Sequence, residues 1–589
     1  MSDKNAFANS DLITLEELLF QVQNNNDLSF SRRREIASAL RALATWTQIP
    51  LAMMPASATY LRERFERIHH DNIGVTKRRL QNVRSLIMAA FRVQGLSTQL
   101  AGYMETMNED WQVLWCLIED STYFRTELSR LFRYCSKQKI PPISLNDEVS
   151  EAYLKALEEE ALVKKPKTRH QSVCRVWNKC CAMYADAGWP QVELTIPRYE
   201  ERLYSIDPSL IPISIRKELE DYLTYLSGSD PFSTHPSPFK PTSLNAVKGY
   251  FSRYLSALHH QGIDLKKYSS LSELVTSEMF KLAIRWFWDR NNGGTSKNLG
   301  ELSWTIRSYA VKHLKADEET AAFYANAMKR LRIPQQGLSE KNRTAMAQFD
   351  DPAVVRKFAN LPTELWTKAE GMKKTATSGR ITRKAQLLIQ SAVAIEILTF
   401  APMRISNLQG LRLDEHMSWM GKRLRISIPR QQVKNDQALE FLLPESVSLR
   451  VKDYLDRCRT ALGDAGTPFL FPGRNGKSKD CSALRNQIRN TLWNEAGISL
   501  TPHQFRHTAA KVLLDSKPGY YEVVRKVLGH KSLSTTYSHY AGAETQAAIT
   551  LYDQVIIEHR QAPIKTRSAL NQMPEPPFMD PLQFFGGRK

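Results

Sequence analysis

The sequence predicts a mainly α-helical protein carrying one small antiparallel β-sheet, and three observations predict it. Apolar positions recur at helical spacing along most of the chain, as in TKRRLQNVRSLIMAAF from Thr76 and KAQLLIQSAVAIEILTF from Lys384. Strand-like alternation is concentrated in RLRISIP (423–429) and ALEFLLP (438–444). QVKNDQ lies between them, with Asn435-Asp436 suited to a hairpin turn. The chain has 589 residues, too many for one hydrophobic core, so three or four domains are expected.

Taken in order, three stretches of the first 330 residues look alike. Each starts with an amphipathic helix bearing arginine and aromatics: LRALATW from Leu40, LSRLFRYC from Leu128 and FSRYLSAL from Phe251. Each then breaks, at Ile49-Pro50, Ile140-Pro141 and Ile263-Asp264. A second helix follows, then a basic approach to a third, which starts near Thr76, Lys167 and Thr295. We read tandem helical units over 1–115, 116–227 and 244–335. The Pro- and Ser-dense GSDPFSTHPSPFKPTS (228–243) opposes helix and sheet and reads as a linker. Another boundary falls near 332–352, and 351–561 reads as one compact domain. The tail 562–589, with PEPPF and a terminal GGRK, reads as extended or disordered.

Composition narrows the partners. Hydrophobic residues make up 42% and charged residues 24%, a globular balance. Lys and Arg number 81 against 61 Asp and Glu, a net charge of +20, which favours a polyanion such as nucleic acid. The N-terminal MSDKNAFANSDLITLEELLF lacks a positive region followed by an apolar core, so no secretory signal is expected. No uncharged apolar stretch is long enough for a bilayer, so no membrane partner is expected. Seven scattered cysteines suit a reducing cytoplasm, and Cys174 with Cys180 and Cys181 lacks paired zinc spacing; they read as helix-core thiols, and no metal or cofactor is expected.

Six residues carry the chemistry: Arg404, Lys434, His503, Arg506, His530 and Tyr540. Cleaving a phosphodiester without metal needs a nucleophile, neutralised non-bridging oxygens and a proton for the leaving oxygen. Two guanidinium forks (Arg404 in TFAPMRISNLQGL, Arg506 in TPHQFRHTAAKVLL) suit the phosphate. His503, three residues before Arg506, shares a helix face with it and suits acid–base work, whereas the adjacent His507 is expected to point away and pack. In VLGHKSLSTT, Gly529 ends a helix and turns the chain to present His530. Lys434 tops the hairpin, placed to protonate a leaving oxygen. A phenol can form a phosphotyrosyl linkage, and Tyr540 is the first candidate. Tyr537 competes, and Tyr552 follows the helical run ETQAAITLYDQV, which reads as core packing.

HQFRH, VLGHKSLSTT and HYAG, with PMRISNLQGL and the hairpin lysine, resemble the tyrosine recombinases, or phage integrases. The resemblance is strong over about 351–557 and weaker over 247–316, which looks like that family's core-binding (SAM-like) domain. It implies an α+β catalytic domain behind helical DNA-binding units. Arg404, Lys434, His503, Arg506 and His530 would activate the scissile phosphate for Tyr540. The family's tyrosine often stands nine residues after the last motif histidine; that place holds His539 here, which keeps Tyr537 open.

The resemblance further implies site-specific recombination through a 3′-phosphotyrosine, without metal or ATP. The expected assembly is a homotetramer on two double-stranded DNA sites, in the nucleoid-associated cytoplasm, with the C-terminal tail docked on a neighbour. Integration or excision of a mobile element is the expected task, with accessory proteins possible as partners. Alternatives are a type IB-like topoisomerase or telomere resolvase using the same chemistry, or an inactive architectural DNA binder. The two extra N-terminal units carry basic third helices (Lys77, Arg78, Arg79, Arg84; Lys167, Arg169, Arg175), which suits a longer grip on DNA, with subunit or accessory-protein contact as rivals.

Overall fold

A computed structural model describes residues 13–100, 105–197, 199, 205–228, 238–331, 337–374, 381–464, 466–540 and 545–561. By internal packing the chain divides into one unit of 1–68 with 78–335, and another of 69–77 with 336–589. The expected tail lies outside the described residues, as does most of the linker.

In the first unit, one helical plan recurs. Helices α1 (Leu15–Gln23), α2 (Phe30–Thr47), α3 (Ala58–Arg67) and α4 (Lys77–Val93) enclose a core that includes Leu40, Leu61 and Ile87. Next, α5 (Glu109–Leu117), α6 (Thr122–Lys137), α7 (Asp147–Glu160) and α8 (Pro166–Met183) enclose Trp111, Phe132 and Trp177. Last, α9 (Ile213–Ser227), α10 (Pro241–His260), α11 (Ser277–Arg290), α12 (Lys297–Arg307) and α13 (Glu318–Leu331) enclose Phe251, Tyr254 and Tyr309. The expected bounds at 115 and 227 need correcting: Trp111 of α5 packs into the second core, and Ile215 and Tyr222 of α9 into the third, because an apolar helix face joins the core that covers it.

The resemblance among the three groups lies in how the long helix ends. After α2, α6 and α10 one residue turns left-handed: Gln48 (φ 55°), Lys139 (φ 56°) and Gly262 (φ 85°). An isoleucine follows, then a 3-10 turn at 51–53, 142–144 or 265–267. Ile140 and Ile263 donate their N–H to Cys135 and Leu258, closing the helix end as a Schellman cap does. The next helix starts on a side-chain cap each time, from Ser57, Asn146 and Thr276. The first two groups also touch: Arg62 donates to the carbonyls of Glu158 (2.6 Å) and Ala161 (2.8 Å).

One linker expectation needs correcting. Its last three residues are helical, because Pro241 starts α10 at the position where a missing N–H costs nothing. Gly228, at φ 61°, caps α9.

In the second unit, α14 (Glu340–Ala347) and α15 (Pro352–Lys374) precede α16 (Arg383–Phe400), whose residues 389–398 are buried on every face. Such all-round burial suits a helix this apolar, and its buried polar residues are satisfied: Gln390 donates to the Tyr454 hydroxyl, Ser391 to the Leu387 carbonyl, and Glu396 accepts from Arg450. After the short α17 (Ile405–Gln409) comes an antiparallel sheet of β1 (Met417–Met420), β2 (Arg423–Ile428) and β3 (Leu439–Leu442), in that order. The expected hairpin is β2 with β3, registered by Ile426 opposite Phe441 and Ile428 opposite Leu439. The sequence reading missed β1, a four-residue edge strand with little burial to impose a pattern. Leu424, Ile426 and Ile428 turn one face of β2 into the core. Helices α18 (Glu445–Arg457) and α19 (Cys481–Ala496) complete that core.

The chain then forms α20 (Gln504–Ser516), α21 (Tyr521–Leu528), α22 (Leu533–Tyr540) and α23 (Thr545–Gln561). Ala510, Leu514, Tyr521, Val524, Leu528 and Tyr540 make a small separate core beneath α20–α22. Tyr552 does not pack into a core as expected; it is 64% exposed on α23, with Ile549, Leu551, Val555 and Ile557 also exposed. An apolar pattern identifies a helix face but not what covers it. No helix among the described residues is long and apolar enough to cross a membrane.

Candidate active site

Arg404 stands where α16 has ended and α17 begins, as the residue just before α17, with an extended backbone (φ −70°, ψ 149°). Its Nη2 donates to Asn435 Oδ1 at 2.6 Å, and Asn435 Nδ2 donates to the Gly529 carbonyl at 2.9 Å. One amide therefore ties Arg404 in the α16–α17 turn to the end of α21.

Arg506 is buried, 4% exposed, in the first turn of α20. Its guanidinium donates to the Pro402 carbonyl (2.8 Å) and the Leu528 carbonyl (2.6 Å). Arg506 thus bridges Pro402 and Leu528 directly, and Arg404 is linked to Gly529 through Asn435. Burial pushes Arg404 below its usual range. Burial, and then the charge of Arg404, push Arg506 down to about 10. Both remain cationic at neutral pH, and two partly desolvated cations side by side make a natural seat for an anion.

His530 is presented as the sequence predicts. Gly529 takes φ 59° and the His530 N–H returns to the Arg525 carbonyl, closing α21. The imidazole Nδ1 meets Thr536 Oγ1 at 3.0 Å. Its ring lies parallel to that of Tyr540, centroids 6.4 Å apart. Tyr540 ends α22 and is 2% exposed. Burial raises its phenol well above the usual value, while the Arg506 charge pulls the other way.

Two of the six sit differently. His503 shares a helical turn with Arg506 but precedes α20, so the imidazole is exposed while the guanidinium is buried. Lys434 is exposed in the β2–β3 connection, next in sequence to Asn435. Tyr537, the rival nucleophile, stacks on Tyr521 at 4.2 Å and is 46% exposed.

The sequence reading missed two functional candidates. Asn435, a turn residue by its sequence, holds Arg404. His507, expected only to pack away from the site, is buried with Nδ1 2.9 Å from the Tyr540 hydroxyl. Their signal in the sequence is adjacency to Lys434 and Arg506; the partners emerge only in the fold. Elsewhere, His69, His70 and Asp71 have metal-ligand spacing among the described residues, but Asp71 is already 2.8 Å from Lys357 Nζ.

Residues 377–547 match the family model described as the phage integrase family. That segment includes all six candidate residues, so the part of the chain that carries the site is similar to the phage integrase family. The chain is 28% identical to tyrosine recombinase XerC of Pseudomonas aeruginosa over 162 residues, 27% of this chain and 50% of that one. It is 33% identical to tyrosine recombinase XerA of Pyrococcus furiosus over 96 residues, 16% of this chain and 32% of that one. The chain therefore spans about half the length of XerC, or less for XerA. Among solved structures, the XerH site-specific recombinase bound to difH substrate aligns at 18% identity and TM-score 0.35, covering 56% of this chain and 94% of that one.

Proposed function

We propose that this chain is a site-specific DNA recombinase of the phage integrase family that cuts and rejoins strands through Tyr540. The observation that carries the reading is that Arg506 bonds to Pro402 and Leu528 and Arg404 is tied through Asn435 to Gly529, with His530 on the turn that follows and Tyr540 at the end of α22. In this reading the two guanidiniums take the non-bridging oxygens of one phosphate. The phenol of Tyr540 loses its proton and its oxygen bonds to phosphorus. The bond to the 5′ oxygen breaks, and that oxygen takes up a proton and departs as a hydroxyl. The sum moves one proton from phenol to alcohol. Exposed His503 accepts, Lys434 donates, and His530 steadies the phosphate. The phosphotyrosyl linkage conserves the bond for rejoining, so no ATP is drawn on.

The substrate is double-stranded DNA, and the task is integration or excision of a mobile element. A homotetramer on two sites would bring duplexes together; the exposed apolar residues of α23 suit docking on a neighbouring subunit. A nicked suicide duplex tests the reading. Wild-type protein should form a covalent adduct that Tyr540→Phe abolishes. A two-site assay separates the alternative, because plasmid relaxation without joining of two sites would favour a topoisomerase.

The two extra helical groups extend the grip on DNA. Between them lies a cleft of about 460 Å³ lined by Arg84, Arg92, Arg130, Arg133 and Arg169, with Glu160 as the acidic member. Arg92→Glu with Arg130→Glu should shorten the protected footprint; an unchanged footprint with lost synapsis would favour subunit contact instead.

A further inference from the structure

His507 has a partner at each nitrogen, and the chain of hydrogen bonds behind it has a fixed direction. It begins at a donor of unambiguous polarity, the backbone N–H of Thr501, which gives to Gln504 Oε1 at 2.8 Å. The Gln504 amide must therefore present its Nε2 outward, and this donates to Asn342 Oδ1 at 3.1 Å. That in turn orients Asn342 Nδ2 toward His507 Nε2, at 3.2 Å. An amide N–H can only donate, so Nε2 accepts and the neutral imidazole carries its proton on Nδ1. Nδ1 faces the Tyr540 hydroxyl at 2.9 Å. The phenolic oxygen is thus an acceptor in this contact, and its own proton is directed away from Nδ1.

We propose that His507 donates a hydrogen bond from Nδ1 to the Tyr540 oxygen, stabilising the phenolate as it attacks phosphorus and again as it departs on rejoining. The inference rests on Tyr540 being the nucleophile. A donor aimed at an oxygen that gains negative charge favours the charged form. The need is real at this position, because Tyr540 is buried and desolvation opposes its ionisation. His507 is itself buried, so the bond forms with little competing water. Among the described residues, the titratable or charged groups that face the phenol include Arg506 and His507 on α20 and His530 on the turn before α22. Arg506 is fastened to the Pro402 and Leu528 carbonyls, while His507 Nδ1 lies at hydrogen-bond distance from the phenolic oxygen. Asn342, 165 positions earlier in α14, is a positioning residue: it fixes the tautomer without meeting the substrate.

The test is single-turnover adduct formation by the full chain on a nicked suicide duplex, with DNA binding and thermal unfolding measured beside it. His507→Leu should slow adduct formation on the order of 10- to 100-fold with binding intact. Its rising pH–rate limb should move to higher pH. His507→Asn can place an N–H near the Nδ1 position and should recover most of the rate and the pH limb. Asn342→Leu, which frees the tautomer, should give a smaller loss in the same direction. It serves as the deciding variant should His507→Leu fail to fold. Adduct formation as fast as or faster than wild type in the leucine variants would overturn the proposal, since the imidazole would then restrain a resting tyrosine. Equal loss in His507→Asn and His507→Leu would also overturn it, leaving only packing. An adduct that persists in Tyr540→Phe would instead remove the nucleophile assignment itself.

Discussion

Asn435→Ala isolates what holds Arg404 in place. The substitution deletes a 2.6 Å bond accepted from a guanidinium and a 2.9 Å bond donated to the Gly529 carbonyl. A hydrogen bond to a charged group contributes about 1.5–3 kcal/mol net, and a neutral one about 1 kcal/mol. Arg404 is only half-buried, so water replaces part of the loss, and we expect a stability cost of about 1–3 kcal/mol. For a unit of this size that lowers the melting temperature by roughly 3–10 °C. The functional effect should be separable. On the proposed reading, an unpinned Arg404 would bind the phosphate less well at the transition state, and a loss of about 1.4–2.8 kcal/mol there is a 10- to 100-fold slower adduct. Asn435→Asp sharpens the test, because a carboxylate would accept from Arg404 yet compete with the phosphate for it. It also sets a second acceptor against the Gly529 carbonyl. Differential scanning fluorimetry gives the stability, and suicide-substrate trapping gives the rate. The reasoning fails if Asn435→Asp traps DNA as fast as wild type, or if Asn435→Ala changes neither measurement.

Gly529→Ala should lose about 1–2 kcal/mol for the left-handed backbone alone. Its Cβ would also stand 2.5 Å from Leu439 Cδ2, so a melting curve should show a larger loss than for an exposed-loop glycine such as Gly421. Sulfate should raise the melting temperature more than chloride at equal ionic strength, partly by general exclusion from the surface and partly because an anion relieves the Arg404–Arg506 repulsion, and Arg506→Gln should shrink the difference. A thiol reagent should modify exposed Cys116 first, sparing Cys135 and Cys180, whose thiols burial pushes up to about 12, until the fold opens; mass spectrometry of the labelled peptides checks the order.

The fold class was legible because long helices announce themselves by period. The β2–β3 pair showed through alternation and a turn, while β1 was too short and too exposed to pattern. The helix-ending Gly529 and its presentation of His530 could be read from a local Leu-Gly-His step, since a helix cap is a local device. Asn435 could not be read in the same way, because its partners Arg404 and Gly529 lie 31 and 94 positions away. For His507 the geometric reasoning was sound as far as it went. Adjacent residues on a helix do point about 100° apart, and Arg506 and His507 do face different groups. What the sequence cannot show is that Tyr540, at the end of α22, lies in that second direction, so that turning away from the arginine means turning toward the tyrosine. Tyr552 illustrates the converse, an apolar helical pattern whose covering surface is not written in its own segment.

The most direct measurement of the central claim is identification of the modified side chain. Adduct formed on a nicked duplex would be digested with protease and nuclease, and the nucleotide-bearing peptide sequenced by mass spectrometry. The account predicts a phosphodiester on Tyr540, formed at a rate that collapses in Arg404→Ala and Arg506→Ala. Attachment at Tyr537 or Tyr552, or an adduct indifferent to both arginines, would contradict it.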